Sequence, residues 1–203
     1  QDSCYSTSGS VIPCPAAGQS LYGQDAQYVG PQAVYKVNGD GTVTDLRTEL
    51  TWQQASDNIP RSWASSQSYC QNLDLAGYGD WRLPEVNELE SLVDHGAASY
   101  PYINSSFTGE SNLSYWANTE YAPDTSNAWY VFFCMGSVSK FEKEDGRYAR
   151  CVRGPKLPSG SFSNNGDGTV TDSTTGLVWQ QDDNAGGRGT MDWAAALEYC
   201  ENL

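Results

Sequence analysis

The order of elements legible in these 203 residues predicts an α+β domain rather than a doubly wound sheet. Three observations carry that reading. Apolar and β-branched residues alternate around an Asn-Gly-Asp-Gly turn early in the chain. Two short stretches of helical spacing follow, and strand-like segments close the unit. The opening then recurs, so the start of a second copy stands behind the first.

Taken in order, residues 1–32 are rich in Gly, Ser and Pro and read as an irregular arm, clipped locally by Cys4–Cys14. Residues 33–53 read as strands around Asn38-Gly39-Asp40-Gly41, where Asn and Gly supply the positive φ of a tight hairpin. Ser62 to Leu73 has Trp63, Tyr69, Cys70 and Leu73 close to helical spacing. Pro84 to Val93 predicts a second helix, with Pro84 in the first turn and Leu89, Leu92 and Val93 as an apolar stripe. A long polar stretch runs from Gly96 to Ser114. Tyr115–Tyr121, Ala128–Phe133, Gly136–Glu142 and Tyr148–Arg153 then read as strands, the last three as a meander. The expected organisation is an arm (1–32), a complete unit (33–154), a linker (155–164) and the first part of a second unit (165–203).

The duplication is close. Asn38 to Asp45 recurs unchanged at Asn165 to Asp172, and Leu50-Thr51-Trp52-Gln53-Gln54 answers Leu177-Val178-Trp179-Gln180-Gln181. After a three-residue insertion, Trp63 and Tyr69-Cys70-Gln71-Asn72-Leu73 answer Trp193 and Tyr199-Cys200-Glu201-Asn202-Leu203. The first copy runs on for about 80 residues more, whereas the second has reached its helix at Leu203. Two explanations stand side by side: a fragment of a two-unit protein, or a half unit with a structural use of its own.

Composition narrows the function classes. The formal charge is −14 and the pI about 4.2, with no basic cluster, which argues against nucleic acid, heparin-like polyanions and anionic lipid as partners. No apolar run of roughly 18 residues is present, so no membrane span is expected. Six cysteines without a Cys-x-x-Cys pair, and His95 as the sole histidine, speak against a zinc site. An even cysteine count, a low share of charged residues (18%) and a polar opening (Gln1-Asp2-Ser3-Cys4) predict a secreted or cell-surface protein whose signal peptide has been removed.

Several strings now in view carry a family resemblance: Asp40 to Asp45, Trp52-Gln53, Gly79-Asp80-Trp81-Arg82-Leu83-Pro84, Glu88-Leu89, Tyr115-Trp116, Ala128-Trp129 and Arg150-Cys151-Val152-Arg153. Together they resemble the DUF1566 family, the domain at the C-terminus of the Legionella collagen-like adhesin, with a C-type-lectin-like fold. The resemblance spans residues 33–154 in full and 165–203 in part. It implies two helices packed on antiparallel sheets, stapled by disulfide, and an exported binding or adhesion module. It also implies a bridge from the first helix to the last strand, which maps onto Cys70–Cys151. Six cysteines allow about 15 pairings. Cys134 and Cys200 keep no assigned partner, although the repeat would match Cys200 to an Arg-Cys-Val-Arg cysteine of a second unit.

A calcium reading of the Asn-Gly-Asp-Gly turns fails on ligand chemistry. A helix-flanked calcium loop needs an acid at its first position and a bidentate acid at its twelfth. Those positions hold Lys36 and Arg47 in one copy and Ser163 and Thr174 in the other. Ala122-Pro123-Asp124 followed by Asn127-Ala128-Trp129 likewise lacks the ligand set of a calcium-dependent sugar lectin. No metal, cofactor or catalytic residue is therefore expected. His95 has no identifiable nucleophile beside it, and Cys134 has no basic sequence neighbour to lower its thiol pKa. The expected ligand is a glycan or a protein, met by the 96–130 region through Trp116, Asn118, Glu120, Tyr121, Asp124, Asn127 and Trp129. Core packing competes as the explanation for the aromatics. The second functional expectation is a structural subunit of an extracellular filament, with residues 161–203 docking on a neighbouring copy.

Overall fold

The computed structural model describes residues 3–27, 33–109, 113–182 and 189–202. The chain forms two compact units: Gln32–Leu157, and Gln1–Pro31 together with Pro158–Leu203. In the N-terminal arm, β1 (Cys4–Tyr5) pairs antiparallel with β2 (Val11–Ile12), and a disulfide joins Cys4 to Cys14.

The Gln32–Leu157 unit holds two antiparallel sheets. The first runs in the order β3 (Tyr35–Val37), β4 (Thr42–Asp45), β5 (Thr51–Gln53) and, returning from the far end of the unit, β9 (Val152–Arg153). Gly39 and Gly41 at its first turn sit at φ +83° and +87°, a conformation side chains rarely adopt. Between them Asp40 Oδ1 accepts from the Thr42 N–H (3.0 Å) and the Thr42 hydroxyl (2.6 Å), so the carboxylate is spent on the turn. Helix α1 (Trp63–Gln71) starts at Ser62, whose side chain accepts from Ser65 N, and α2 (Val86–Glu90) follows. The second sheet is a meander of β6 (Ser114–Glu120), β7 (Asn127–Phe132) and β8 (Ser137–Glu142).

Strand alternation divides the core in two. Tyr115, Ala117, Val131 and Phe133 join Val43, Leu50, Trp52, Leu89 and Val152 in one cluster. Trp116 and Ala128, on the opposite face of the same sheet, join Trp81, Leu83, Ala149 and the Cys70–Cys151 bridge. Strands β6 and β7 are thus buried on both faces, whereas β8 is largely exposed.

This architecture overturns the expected α+β, C-type-lectin-like domain of two helices on antiparallel sheets. The described residues form four small antiparallel sheets and three short α-helices, so the molecule is mostly β. Helix α2 falls well short of Pro84 to Val93 for local reasons. The Ser91 hydroxyl donates to Glu88 O, Leu92 N and Val93 N bond carbonyls three residues back, and Asp94 N is drawn to Tyr102 O. The predicted closing strand Tyr148–Arg153 also divides. Tyr148 bridges Tyr115, whereas Val152 pairs with Trp52, leaving β6–β7–β8 as the meander.

The second copy forms β10 (Phe162–Asn164), β11 (Thr169–Asp172), β12 (Val178–Gln180) and α3 (Trp193–Glu201). Its register repeats that of the first: Trp179 faces Val170 as Trp52 faces Val43. No helix among the described residues is long and apolar enough to cross a membrane.

Candidate functional site

The β6–β7 hairpin presents a compact surface. Its loop is closed by Tyr121 N to Asn127 O (3.1 Å), Asp124 N to Tyr121 O (2.9 Å) and Asn127 N to Asp124 O (3.0 Å). That closure sets the half-buried Tyr121 and Trp129 rings edge to face, with centroids 5.2 Å apart and planes at 81°. Lys140 stands opposite Trp129 on β8 and brings its Nζ to 5.6 Å from the Tyr121 ring centre. Asp124, exposed on the loop, accepts from the Ser126 hydroxyl (2.7 Å), the Ser126 N–H (3.1 Å) and the Asn127 amide (2.8 Å). Donation from Ser126 holds the Asp124 carboxyl below its ordinary pKa, with Lys140 adding a smaller pull. Two perpendicular rings, an ammonium and a fixed carboxylate thus share one small surface.

The other expected ligand contacts lie elsewhere. Trp116 is fully buried, with Nε1 donating to Arg61 O at 3.0 Å. Asn118 is tied on both ends of its amide, accepting from Gln67 (2.7 Å) and donating to Glu85 (3.1 Å). Glu120 is ion-paired with Lys143, which lies over the Trp63 ring at 4.2 Å. Asn127 is buried and serves the loop. The polar stretch after Gly96 is anchored by Ile103 and Phe107, both in the core, and residues 110–112 fall outside the described residues.

The string Asp80-Trp81-Arg82 and the string Arg150 to Arg153 meet in a network of their own. Arg153 grips Asp80 at 2.7 and 3.2 Å, and Trp81 Nε1 donates to Leu75 O. Arg82 pairs with both oxygens of the fully buried Glu88 at 2.7 Å, and Glu88 also accepts from Glu85 N (2.8 Å) and Leu157 N (2.9 Å). Arg150, completely buried, donates to the carbonyls of Gln53, Gln54 and Thr108 between the rings of Phe107 and Tyr115. Cys151 is bridged to Cys70. Every side chain of the two strings is engaged in holding strands, loop and helices together.

The sequence profile of the Lcl C-terminal domain matches residues 41–153, more than half of the chain. The chain belongs to the Lcl C-terminal domain family. No curated protein matches it. In this Lcl-type unit the motif residues build the scaffold, and the Tyr121–Trp129–Lys140 surface lies beside them on the β6–β7–β8 meander.

Among the described residues of the Lcl-type chain, no group of three or more His, Cys, Asp or Glu is gathered as a metal site. His95 is exposed. No sequence motif marks Lys140, but the strand register does. The Cys134-Met135-Gly136 turn fixes the β7–β8 register, and counting back from it places residue 140 opposite 129.

The scaffold network makes stability fall in acid. Burial pushes the Glu85 carboxyl up, but donation from Lys156, Thr119 and Asn118 outweighs it and leaves the pKa below its usual 4.5. The Arg153 hydrogen bond holds Asp80 below 3.8. A carboxyl depressed in the fold contributes stability that is present above its unfolded pKa and lost as pH falls through the folded value. Thermal melting should therefore be level above pH 5 and fall progressively below about 4.5, and Glu85→Gln should flatten the upper part of that fall. An unchanged midpoint down to pH 2.5 would refute this.

Proposed function

We propose that this Lcl-type chain is an exported, adhesin-like binding module that recognises an extracellular glycan or protein through Tyr121, Trp129, Lys140 and Asp124. The observation that carries the reading is the edge-to-face Tyr121–Trp129 pair, half-buried yet open to solvent, with a cation on its edge. An aromatic face stacks on the C–H face of a sugar ring or on a peptide side chain, while Lys140 donates and Asp124 accepts at the rim. The disulfides Cys4–Cys14 and Cys70–Cys151 suit an oxidising, extracellular setting. The reading invokes binding alone, with no metal, cofactor or catalytic group.

The test is an array of glycans and extracellular-matrix proteins probed with the full chain and with Trp129→Ala, Tyr121→Ala and Lys140→Ala. Removing an aromatic anchor costs about 2 kcal/mol or more, roughly thirty-fold in affinity. The Lys140→Ala variant, at an exposed site, should weaken binding several-fold with an unchanged melting temperature. Silence of the native chain across the array would overturn the proposal, as would variants that bind like the native chain.

A further inference from the structure

Most arginines of the Gln32–Leu157 unit have acceptors. Arg61 holds Asp57, Arg82 holds Glu88, Arg153 holds Asp80, and Arg150 reaches three carbonyls. Arg47 is exposed to water. Arg147 is half-buried and has neither advantage. Its Nε is buried without a hydrogen-bond partner, and no carboxylate pairs with its guanidinium among the described residues. Three rings hold that guanidinium instead, with its centre 4.4 Å from the Tyr130 and Phe141 ring centres and 5.5 Å from that of Trp116. Tyr130 and Phe141 are diagonal neighbours on one face of the β7–β8 pair, since Tyr130 faces Ser139 and Ala128 faces Phe141. The Arg147 backbone is fixed too, donating to Arg61 O (2.9 Å) and accepting from Arg61 N (2.7 Å). Rings attract the cation without supplying a counter-charge, so a planar fork stands ordered for a carboxylate.

The strand beside it is open. Strand β8 is the outer strand of its sheet and is exposed from Ser139 to Glu142. Lys143 N donates to Ser126 O, so by alternation Ser139 and Phe141 bond inward to β7, while Val138 and Lys140 turn their backbone groups outward. Neither has a backbone partner on that outer side among the described residues. A strand laid along this edge would bring side chains within about 5 Å of those of Ser139 and Phe141, on the Arg147 face. Ser139 is small and exposed, which leaves room for the side chain opposite it. Glu142, Glu144 and Asp145 follow at the end of the strand. That acidic tip tolerates one carboxylate at Arg147 and repels a run of them.

We propose that the β8 edge takes up an extended segment of a partner protein as a further strand, and that Arg147, clamped between Tyr130 and Phe141, binds a single aspartate or glutamate of that segment. Outward backbone groups favour a peptide, whose own N–H and C=O groups recur at strand spacing, over a sugar, whose groups do not. The inference does not rest on the Tyr121–Trp129 surface. Trp129 and Lys140 alternate with Tyr130 and Phe141 along β7 and β8, so their side chains lie on the other face.

The test titrates the full chain into a fluorescein-labelled peptide, Thr-Val-Thr-Asp-Thr-Val-Thr, followed by anisotropy, beside the same peptide with Asn in place of Asp. The Asp peptide should bind about ten-fold more tightly or better. Arg147→Gln should bring the two peptides within about two-fold of each other. Ser139→Glu, an exposed change whose carboxylate takes the guanidinium from within the chain, should do the same. N-methylation of one alternate set of peptide residues should abolish binding, and of the other set should spare it, because only one set of N–H groups meets β8. A native chain that binds neither peptide would overturn the proposal, as would equal affinity for the two. A preference for Asp that survives Arg147→Gln in a variant melting like the native chain would also overturn it; should that variant not fold, Ser139→Glu decides by the same criterion. Equal binding of both N-methylated peptides would exclude an added strand. Tighter binding of an all-glutamate peptide of the same length would make a polyanion the occupant and overturn the proposal as well.

Discussion

Replacing Arg150 by methionine should lower the unfolding free energy of the Gln32–Leu157 unit by about 3–5 kcal/mol. Methionine fills much of the same space, and exchanging a buried ion pair for apolar groups is often harmless. Here it is not harmless, because the partners are backbone carbonyls that no exchange removes. Gln53, Gln54 and Thr108 all lose a charged donor, Gln53 in a fully buried hydrogen bond and the other two in partly buried ones. Each orphaned buried acceptor costs about 1–3 kcal/mol. Burial pulls the guanidinium pKa below its ordinary value, so the site already costs something to charge, and the three carbonyls offset that cost. Arg150→Lys keeps the charge but cannot reach carbonyls on two different segments in one planar fork, so it should recover less than half of the loss. Urea unfolding followed by tryptophan fluorescence measures both. A methionine variant within 1 kcal/mol of the native chain would mean that the carbonyls find other donors.

Removing the Cys70–Cys151 bridge as the double alanine variant should cost about 4 kcal/mol on the chain-entropy account, because the loop it closes is 81 residues long. Alanine is the right replacement at two fully buried positions, since serine would add hydroxyls in need of partners. The melting temperature should drop on the order of 10–20 °C. Removal of Cys4–Cys14, which closes a span of 10 residues in the arm, should leave the melting of the Gln32–Leu157 unit within about 2 °C. Equal losses from the two bridges would show that the long loop contributes nothing special.

How much of this was legible in the sequence depends on the range over which each residue acts. The Asn-Gly-Asp-Gly turns, the three strands after residue 33 and the start of α1 are local chemistry: glycines at positive φ and Ser62 accepting from Ser65 N. Those could be read. Layering could not, because β9 crosses from one end of the unit to pair with β5, and nothing near Val152 announces Trp52 as its neighbour. The polar look of the stretch after Gly96 hid two core residues, Ile103 and Phe107, since apolar side chains a few positions apart have no period to betray them. Of the expected ligand contacts, Tyr121, Asp124 and Trp129 share a surface. Trp116 went into the core for a reason alternation supplies: neighbours on a strand buried on both faces cannot all point outward.

On the proposed function, the family motif holds the scaffold while the Tyr121–Trp129–Lys140 surface meets the ligand. Seven tryptophans make it directly measurable, each indole N–H giving its own signal in an ¹⁵N-labelled chain. The titrant is the strongest-binding probe from the array. The Trp129 signal should move and saturate with the probe. The indoles of Trp81 and Trp116, donating to Leu75 O and Arg61 O, should stay in place. Movement of Trp63 or Trp179 with Trp129 unmoved would contradict the account and put the ligand on another face.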